Sequence, residues 1–325
     1  MDALSRIQQL GMPRRNNELW TFFPVAKIPA IDFPAASNSD EDFSAETDFA
    51  ALLPMAQNAR TLVREIADGA EEIAMFKCNN DFGRTVLNIG KNAKASIEIL
   101  DNKVQHPVCA ERFDINVGEG AEVEIFFANP ANELPLQFRH FSIEQAANST
   151  VRVSSIERGN GISRVSLDCH LRGNGAKFEI RTLNILAETS ESHHRLHIYH
   201  DAPETTSIQF SRNLLDGNSR ASYDGSVIVN ADCTKAFSSQ LVNTILLSED
   251  SAVSVKPVLK IYHDDVECTH GNTCGELDAE QMFYLVSRGI PPEKARKMLI
   301  SSFAKELFYP LPDTPAKKRL LQELH

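Results

Sequence analysis

Six times along this chain a turn residue is followed by Ala or Ser and then by residues that alternate in character: Asn92-Ala93, Gly120-Ala121, Asn148-Ser149, Gly175-Ala176, Asn218-Ser219 and Asp250-Ser251. The first three intervals are 28, 28 and 27 residues. Behind the turns, apolar residues fall at every second position: Ala95, Ile97 and Ile99; Val123, Ile125 and Phe127; Val151 and Val153; Phe178 and Ile180. Their neighbours Glu122, Glu124, Arg152, Lys177 and Glu179 are charged, which is the period-two pattern of half-buried strands. A fixed period of this size with turns between short strands predicts a β-solenoid, in which each coil covers the open face of the one before. Parallel crossovers favour the right-handed form, so the expected fold is mainly β, a right-handed parallel β-helix. The later intervals, 43 and 32 residues, break the period and predict an insertion or a differently shaped coil between Gly175 and Asn218. A β-sandwich of the same short strands is the structural alternative.

The chain divides into three regions. Residues 1–60 are mixed, with Pro24, Pro29 and Pro34 spacing out an extended segment before the acidic Ser37 to Asp42 run, which reads as a linker. Residues 61–275 carry the strands. Residues 276–325 turn helical, with Ala295, Met298, Leu299, Ser302, Phe303 and Leu307 at helix-face spacing after Pro291-Pro292. Such a C-terminal helical module can cap the open end of a solenoid. The net charge of −11 and the lack of a basic stripe argue against nucleic-acid binding. Neither a signal-peptide core nor an apolar run of 18 residues occurs, so a cytoplasmic, non-membrane protein is expected. Six cysteines without a C-x-x-C pair are read as reduced thiols.

Chemistry is concentrated between Lys256 and Gly289. Val258, Leu259, Ile261, Tyr262 and Val266 are strand residues around an Asp264-Asp265 turn. Cys268 and His270 follow at spacing two; on a strand they share a face, with Cα atoms about 6.6 to 7 Å apart, and so address one metal or one partner surface. An imidazole is a good ligand for iron or zinc, which makes His270 the leading metal candidate. Cys274 is expected to need a fold-back of the chain to join them. Asp278 is a good N-cap, Phe283, Leu285 and Val286 give the next helix an apolar side, and Gly289 is placed to end it. The histidine-rich run from His193 to His200 offers a second reading, a metal-binding solenoid enzyme. On a strand, however, His194 and His200 face one side and His193 and His197 the other.

This C-terminal segment resembles the SufB/SufD family of iron–sulfur cluster assembly scaffolds, and Cys268-Thr269-His270-Gly271 looks like its SufD branch. The likeness extends to Trp20 after Gly11-Met12-Pro13-Arg14-Arg15, to His200-Asp201-Ala202-Pro203 with Thr206-Ser207, and to Asn243 through Ser248 leading to Lys256-Pro257. It implies a non-catalytic scaffold subunit of a SufBCD-type complex, with ATPase activity in the partner. The implied partners are a SufC-like ABC-type ATPase and a SufB-like subunit or a second copy. By the same resemblance, Phe283, Tyr284, Arg288, Met298 and Phe303 are expected to form the ATPase dock. His270 and Cys268 would serve a transient iron–sulfur cluster at the subunit interface, and iron entry would fall to this chain. The resemblance also implies reduced flavin in the complex, at a site that no residue of this sequence places. Where the SufB branch carries a sulfur-accepting cysteine this chain has Leu241-Val242, so no thiol is there to take up persulfide sulfur. Parallel β-helices also include carbohydrate lyases, which cluster carboxylates with a basic residue; Glu122, Glu124 and Glu179 are read as scattered over different coils without such a companion.

Overall fold

A computed structural model describes residues 1–39, 41–78, 81–101, 107–129, 136–159, 161–322 and 324; Asp40 of the acidic run and the side chain of Cys78 lie outside the described residues. Sixteen strands, numbered β1 to β16 in chain order, are described, and successive strands go alternately to two eight-stranded parallel sheets. The odd sheet runs β1 (Thr61–Ile66), β3 (Phe82–Ile89), β5 (Cys109–Val117), β7 (Leu136–Gln145), β9 (Ile162–Leu171), β11 (Glu191–His200), β13 (Arg220–Val229) and β15 (Ala252–Ile261). The even sheet runs β2 (Glu71–Cys78), β4 (Lys94–Asp101), β6 (Glu122–Asn129), β8 (Thr150–Gly159), β10 (Lys177–Leu186), β12 (Thr206–Leu215), β14 (Ala236–Leu246) and β16 (Val266–Gly275). This is a parallel β-solenoid, two strands to the coil, and the sandwich alternative falls.

The coil is steadier than the sequence suggested. Glu122, Thr150, Lys177, Thr206 and Phe237 are successive register partners, so no insertion separates Gly175 from Asn218. The intervals of 43 and 32 residues compared two different corners. Asn218 and Asp250 precede odd strands, whereas the earlier four turns precede even ones. In later coils the even-strand corner is made by Glu204 and Lys235, which hold the same positive φ as Asn92 and Asn148 (55° and 56°, against 55° and 56°) without being turn-type residues. Gly120 shows why the corner column alternates Asn with Gly: a Cβ there would stand 2.3 Å from Oδ1 of Asn92, whose side chain fills the space above the glycine.

Between the sheets the inward columns make the main core, from Ile66 through Ile97, Ile125, Phe127, Phe141, Val153 and Phe178 to Val242. The outward faces are buried too, by opposite ends of the chain. On the odd sheet, Ala110, Leu136 and Phe138 lie under Leu4 and Ile7 of α1 (Ala3–Leu10), Trp20, Phe23, and Phe49, Leu52 and Leu53 of α2 (Phe49–Ala56). On the even sheet, Phe126, Ile156, Leu183 and Leu214 lie under Ala304 of α4 (Pro292–Glu306), Leu307, Phe308, and Leu320 of α5 (Pro315–Gln322). Each fully buried Leu or Phe contributes about 1.5–3 kcal/mol. The C-terminal helices therefore flank the solenoid along a sheet face, which corrects the expectation of an end cap. The acidic ladder is corrected as well. Glu124, Arg152 and Glu179 are register neighbours, and Glu179 has both Arg152 (4.0 Å) and Arg181 as companions. Arg181 in turn donates to the Leu307 carbonyl (2.6 Å) and lies over Phe210, so these charges anchor the C-terminal helices to the sheet.

Candidate functional site

β15 and β16 stand last in their sheets, and each pairs on one side only among the described residues. The coil thus ends with a free edge on either sheet and with its interior face open. β16 continues to Gly275 as one strand, in register with β14: Ser238 with Cys268, Gln240 with His270, Thr244 with Cys274. Ser238, Gln240 and Thr244 are buried members of the inward column, so Cys268, His270 and Cys274 all project to the interior side of the open end. Thr269 and Thr273 bond outward-facing Ser239 and Asn243 at 3.4 and 3.1 Å, which fixes the alternation.

The shared face predicted for Cys268 and His270 is therefore present, with Cys268 half-buried against Val227, Val229 and Ala236, and His270 exposed. Burial pushes the Cys268 thiol up, with Glu267 adding to the effect and the Ser238 backbone opposing it, so the neutral thiol is favoured. Cys274 needs no fold-back, contrary to the sequence reading. It lies on the same strand face, but six residues of extended chain place it about 20 Å from Cys268, too far to share one ion.

Beneath His270 the inward column turns polar. Gln240 is 2% exposed, and neither its Oε1 nor its Nε2 has a hydrogen-bond partner among the described residues. Gln209, next in the column, accepts from the Tyr223 hydroxyl at 2.8 Å and leaves its own Nε2 unpaired. Further along, Asn184 donates to Asn213 (2.6 Å), which donates to Thr244 (2.9 Å). The sequence signal for this spine was the polar identity of Ser238 and Gln240 at positions where the first coils place Val123 and Val151, and Ile97, Ile125 and Val153; the Thr244 column is polar in earlier coils too, with Glu157, Asn184 and Asn213.

The histidine run lies on β11 and divides as expected. Inward, His200 bonds Thr205 and Ser207, both at 2.8 Å, and His194 lies 3.3 Å from the Ser192 hydroxyl. Outward, His193 bonds Ser222 (2.8 Å) and Glu191 (3.1 Å), while His197 meets Arg195 (2.9 Å). Burial holds His194 down to about 3 and His200 to about 4; burial and then Arg195 hold His197 to about 4. Among the described residues no three His, Cys, Asp or Glu side chains converge into a metal-binding set. The enzyme reading of this cluster thus lacks a site.

Past β16, Asp278 caps α3 (Ala279–Ser287) by accepting from the Glu280 and Gln281 amides, and Gly289 ends it at φ 84°. No side chain of α3 is buried. Phe283 is 75% exposed, Tyr284 57% and Met298 of α4 43%, and Arg288 stacks on the Tyr284 ring at 5.1 Å. Phe303 is placed differently. It is half-buried against the even sheet with Arg212 over its ring at 4.6 Å, so it belongs to the seam that attaches α4.

Comparison with known proteins is consistent with this architecture. A family model described as "SUF system FeS cluster assembly, SufBD core domain" matches residues 73–303. The iron-sulfur cluster assembly protein SufD of Escherichia coli (strain K12) is 29% identical over 258 residues, 78% of this chain. An iron-sulfur cluster assembly SufBD family protein of Synechocystis is 29% identical over an alignment covering 98% of this chain and 88% of its own length. Protein ABCI7, chloroplastic, of Arabidopsis thaliana is 30% identical over 53% of this chain. The chain spans 60% of the length of the Escherichia coli protein and 36% of the Arabidopsis one.

Proposed function

This chain belongs to the SufBD family of SUF-system iron–sulfur cluster assembly proteins, is SufD-like within it, and, we propose, serves as the non-catalytic SufD-type subunit of a SufBCD-type complex. It pairs with a SufB-like subunit at the open coil end, holds a SufC-like ABC-type ATPase on its C-terminal helices, and contributes His270 to iron entry and nascent cluster formation at that interface.

The observation that carries the reading is the placement of His270 and Cys268 on one face of a terminal strand whose other edge is free. Side chains so placed are half a site; an opposing subunit would bring the remaining ligands, and a cluster formed there is released when the interface opens. Unpaired strand edges are themselves surfaces to which another chain adds. The missing thiol at Leu241-Val242 gives sulfur acceptance to the partner. The ATPase dock is supported by α3, an amphipathic helix that exposes Phe283, Tyr284 and Val286 instead of burying them. ATP-driven closure of two ATPase subunits would pass through α3 and α4 and rearrange the coil end, a rigid-body route from nucleotide to cluster site. Phe303 supports that route as the attachment of α4 to the sheet rather than as a contact with the ATPase.

The test is co-purification of the chain with the SufB-like protein and the ABC-type ATPase of its own source, with and without residues 277–325. Loss of the ATPase alone on truncation supports the dock; no complex under any nucleotide condition overturns the reading. Within an intact complex, His270→Ala should lower bound iron, and unchanged iron content would remove His270 from its assigned role.

A further inference from the structure

We propose that Gln240 is the positioning residue for His270: its side-chain carbonyl, unpaired in this structure, turns toward β16 to accept the inner ring N–H of the imidazole, fixing the tautomer that leaves the outer nitrogen's lone pair facing the open coil end. The proposal rests on the role given to His270 above and adds the residue that makes the ring competent for it.

Three observations lead there. Gln240 and His270 are direct register partners on β14 and β16, so their side chains rise from the same face of neighbouring strands, about 4.8 Å apart. Gln240 is buried, yet neither amide atom is paired, at a place in the column where the first coils carry Ile97, Ile125 and Val153. A buried amide without partners costs about 1–3 kcal/mol relative to an apolar group of the same shape, so stability alone favours a Leu or Met at this position. The third observation is Gln209. Its carbonyl is taken by the Tyr223 hydroxyl at 2.8 Å and its Nε2 is unpaired, which leaves a spare amide N–H on the register neighbour of Gln240. A carbonyl oxygen has two lone pairs, so once the Gln240 amide turns toward β16 its oxygen has room to accept from Gln209 on one side and from the His270 ring on the other. The Tyr223–Gln209–Gln240 row thereby carries orientation from the rigid interior to an imidazole that is otherwise free on an exposed strand. Histidines that bind metals are commonly held in this way, by an acceptor on the nitrogen that faces away from the metal.

The experiment is selective ¹⁵N-histidine labelling of the full chain, with His270 assigned by comparison with His270→Ala and its ring nitrogens followed at pH 8 in native protein, Gln240→Met and Gln240→Leu. Met keeps the length and volume of Gln and removes only the amide, and melting curves show whether each variant folds; replacing an unpaired amide is expected to hold or raise the melting temperature. In the native chain one ring nitrogen should read as protonated and the other as bare. In the folded variants the two shifts should move toward each other as the tautomers average. Identical His270 shifts in native and variant proteins overturn the proposal, even if His270→Ala lowers iron. Conversely, unchanged iron in His270→Ala with a tautomer that depends on Gln240 sinks the iron role and leaves the positioning intact.

Discussion

Arg164 lies with its guanidinium carbon 4.0 Å from the centre of the Trp20 ring, joining the N-terminal segment to strand β9. The same guanidinium bonds Asp48 through Nη1 at 2.9 and 3.2 Å and the Leu19 carbonyl through Nη2 at 3.2 Å. Asp48 also accepts from the Ala50 amide as the N-cap of α2. Burial opposes its charge, but Arg164 and Arg195 outweigh burial and hold the carboxyl down to about 2. Asp48→Ala leaves a buried arginine uncompensated and is expected to cost about 3–5 kcal/mol. Breaking the exposed Glu18–Lys256 pair by Glu18→Gln should cost less than about 1 kcal/mol. Urea unfolding of the two variants checks the contrast; equal effects would mean that the N-terminal cover is not held by this network.

Much of this architecture is legible in the sequence, and the parts that are not have specific causes. Ala93, Ala121, Ser149 and Ala176 marked the even-strand corner because small residues are needed under it. Glu204 and Lys235 hid its continuation, since their side chains do not announce a positive φ. Cys268 and His270 share a face because strand geometry requires it. Gln240 was overlooked because its importance comes from register with β16, a contact 30 residues away that no local pattern encodes. The seam at Phe303 was not legible, because helix periodicity alone cannot say which apolar side of α4 meets its own sheet.

The inward and outward histidines of β11 predict acid sensitivity. An ordinary imidazole titrates near 6.5, while His194, His197 and His200 are held to about 3, 4 and 4. The unfolded chain therefore takes up protons below pH 6.5 that the folded chain refuses until about pH 4. Stability is full above 6.5 and falls as pH drops through that window, by on the order of 2 kcal/mol per histidine at pH 5. Urea midpoints should decline from pH 7.5 to 5, and His200→Gln should flatten the decline by one proton. A flat profile would mean that these rings are not held neutral.

The two faces of the C-terminal helices should respond oppositely. Phe308 is fully buried against Phe126 and Ile156, and Phe308→Ala is expected to cost about 3–5 kcal/mol. Phe283→Ser with Tyr284→Ser changes exposed side chains only and should leave the melting curve of the isolated chain within about 0.5 kcal/mol of native. The same double variant should abolish capture of the ABC-type ATPase in a pull-down. ATPase retained at native levels would move the dock off α3.

The interior row that reaches toward His270 depends on a glycine. At Gly225 a Cβ would stand 2.3 Å from Cε1 and 2.7 Å from the hydroxyl oxygen of Tyr223, whose buried ring leans across that position to reach Gln209. Gly225→Ala is thus expected to displace the ring, break the 2.8 Å bond and cost about 1–3 kcal/mol by overpacking. Tyr223→Leu removes the ring that the new methyl would strike. In that background Gly225→Ala should be nearly neutral, so the two substitutions are strongly non-additive in a double-mutant cycle. Additive costs would show that Gly225 is required for its own backbone and not to seat Tyr223, and the row from Tyr223 to Gln240 would then lose its fixed starting point.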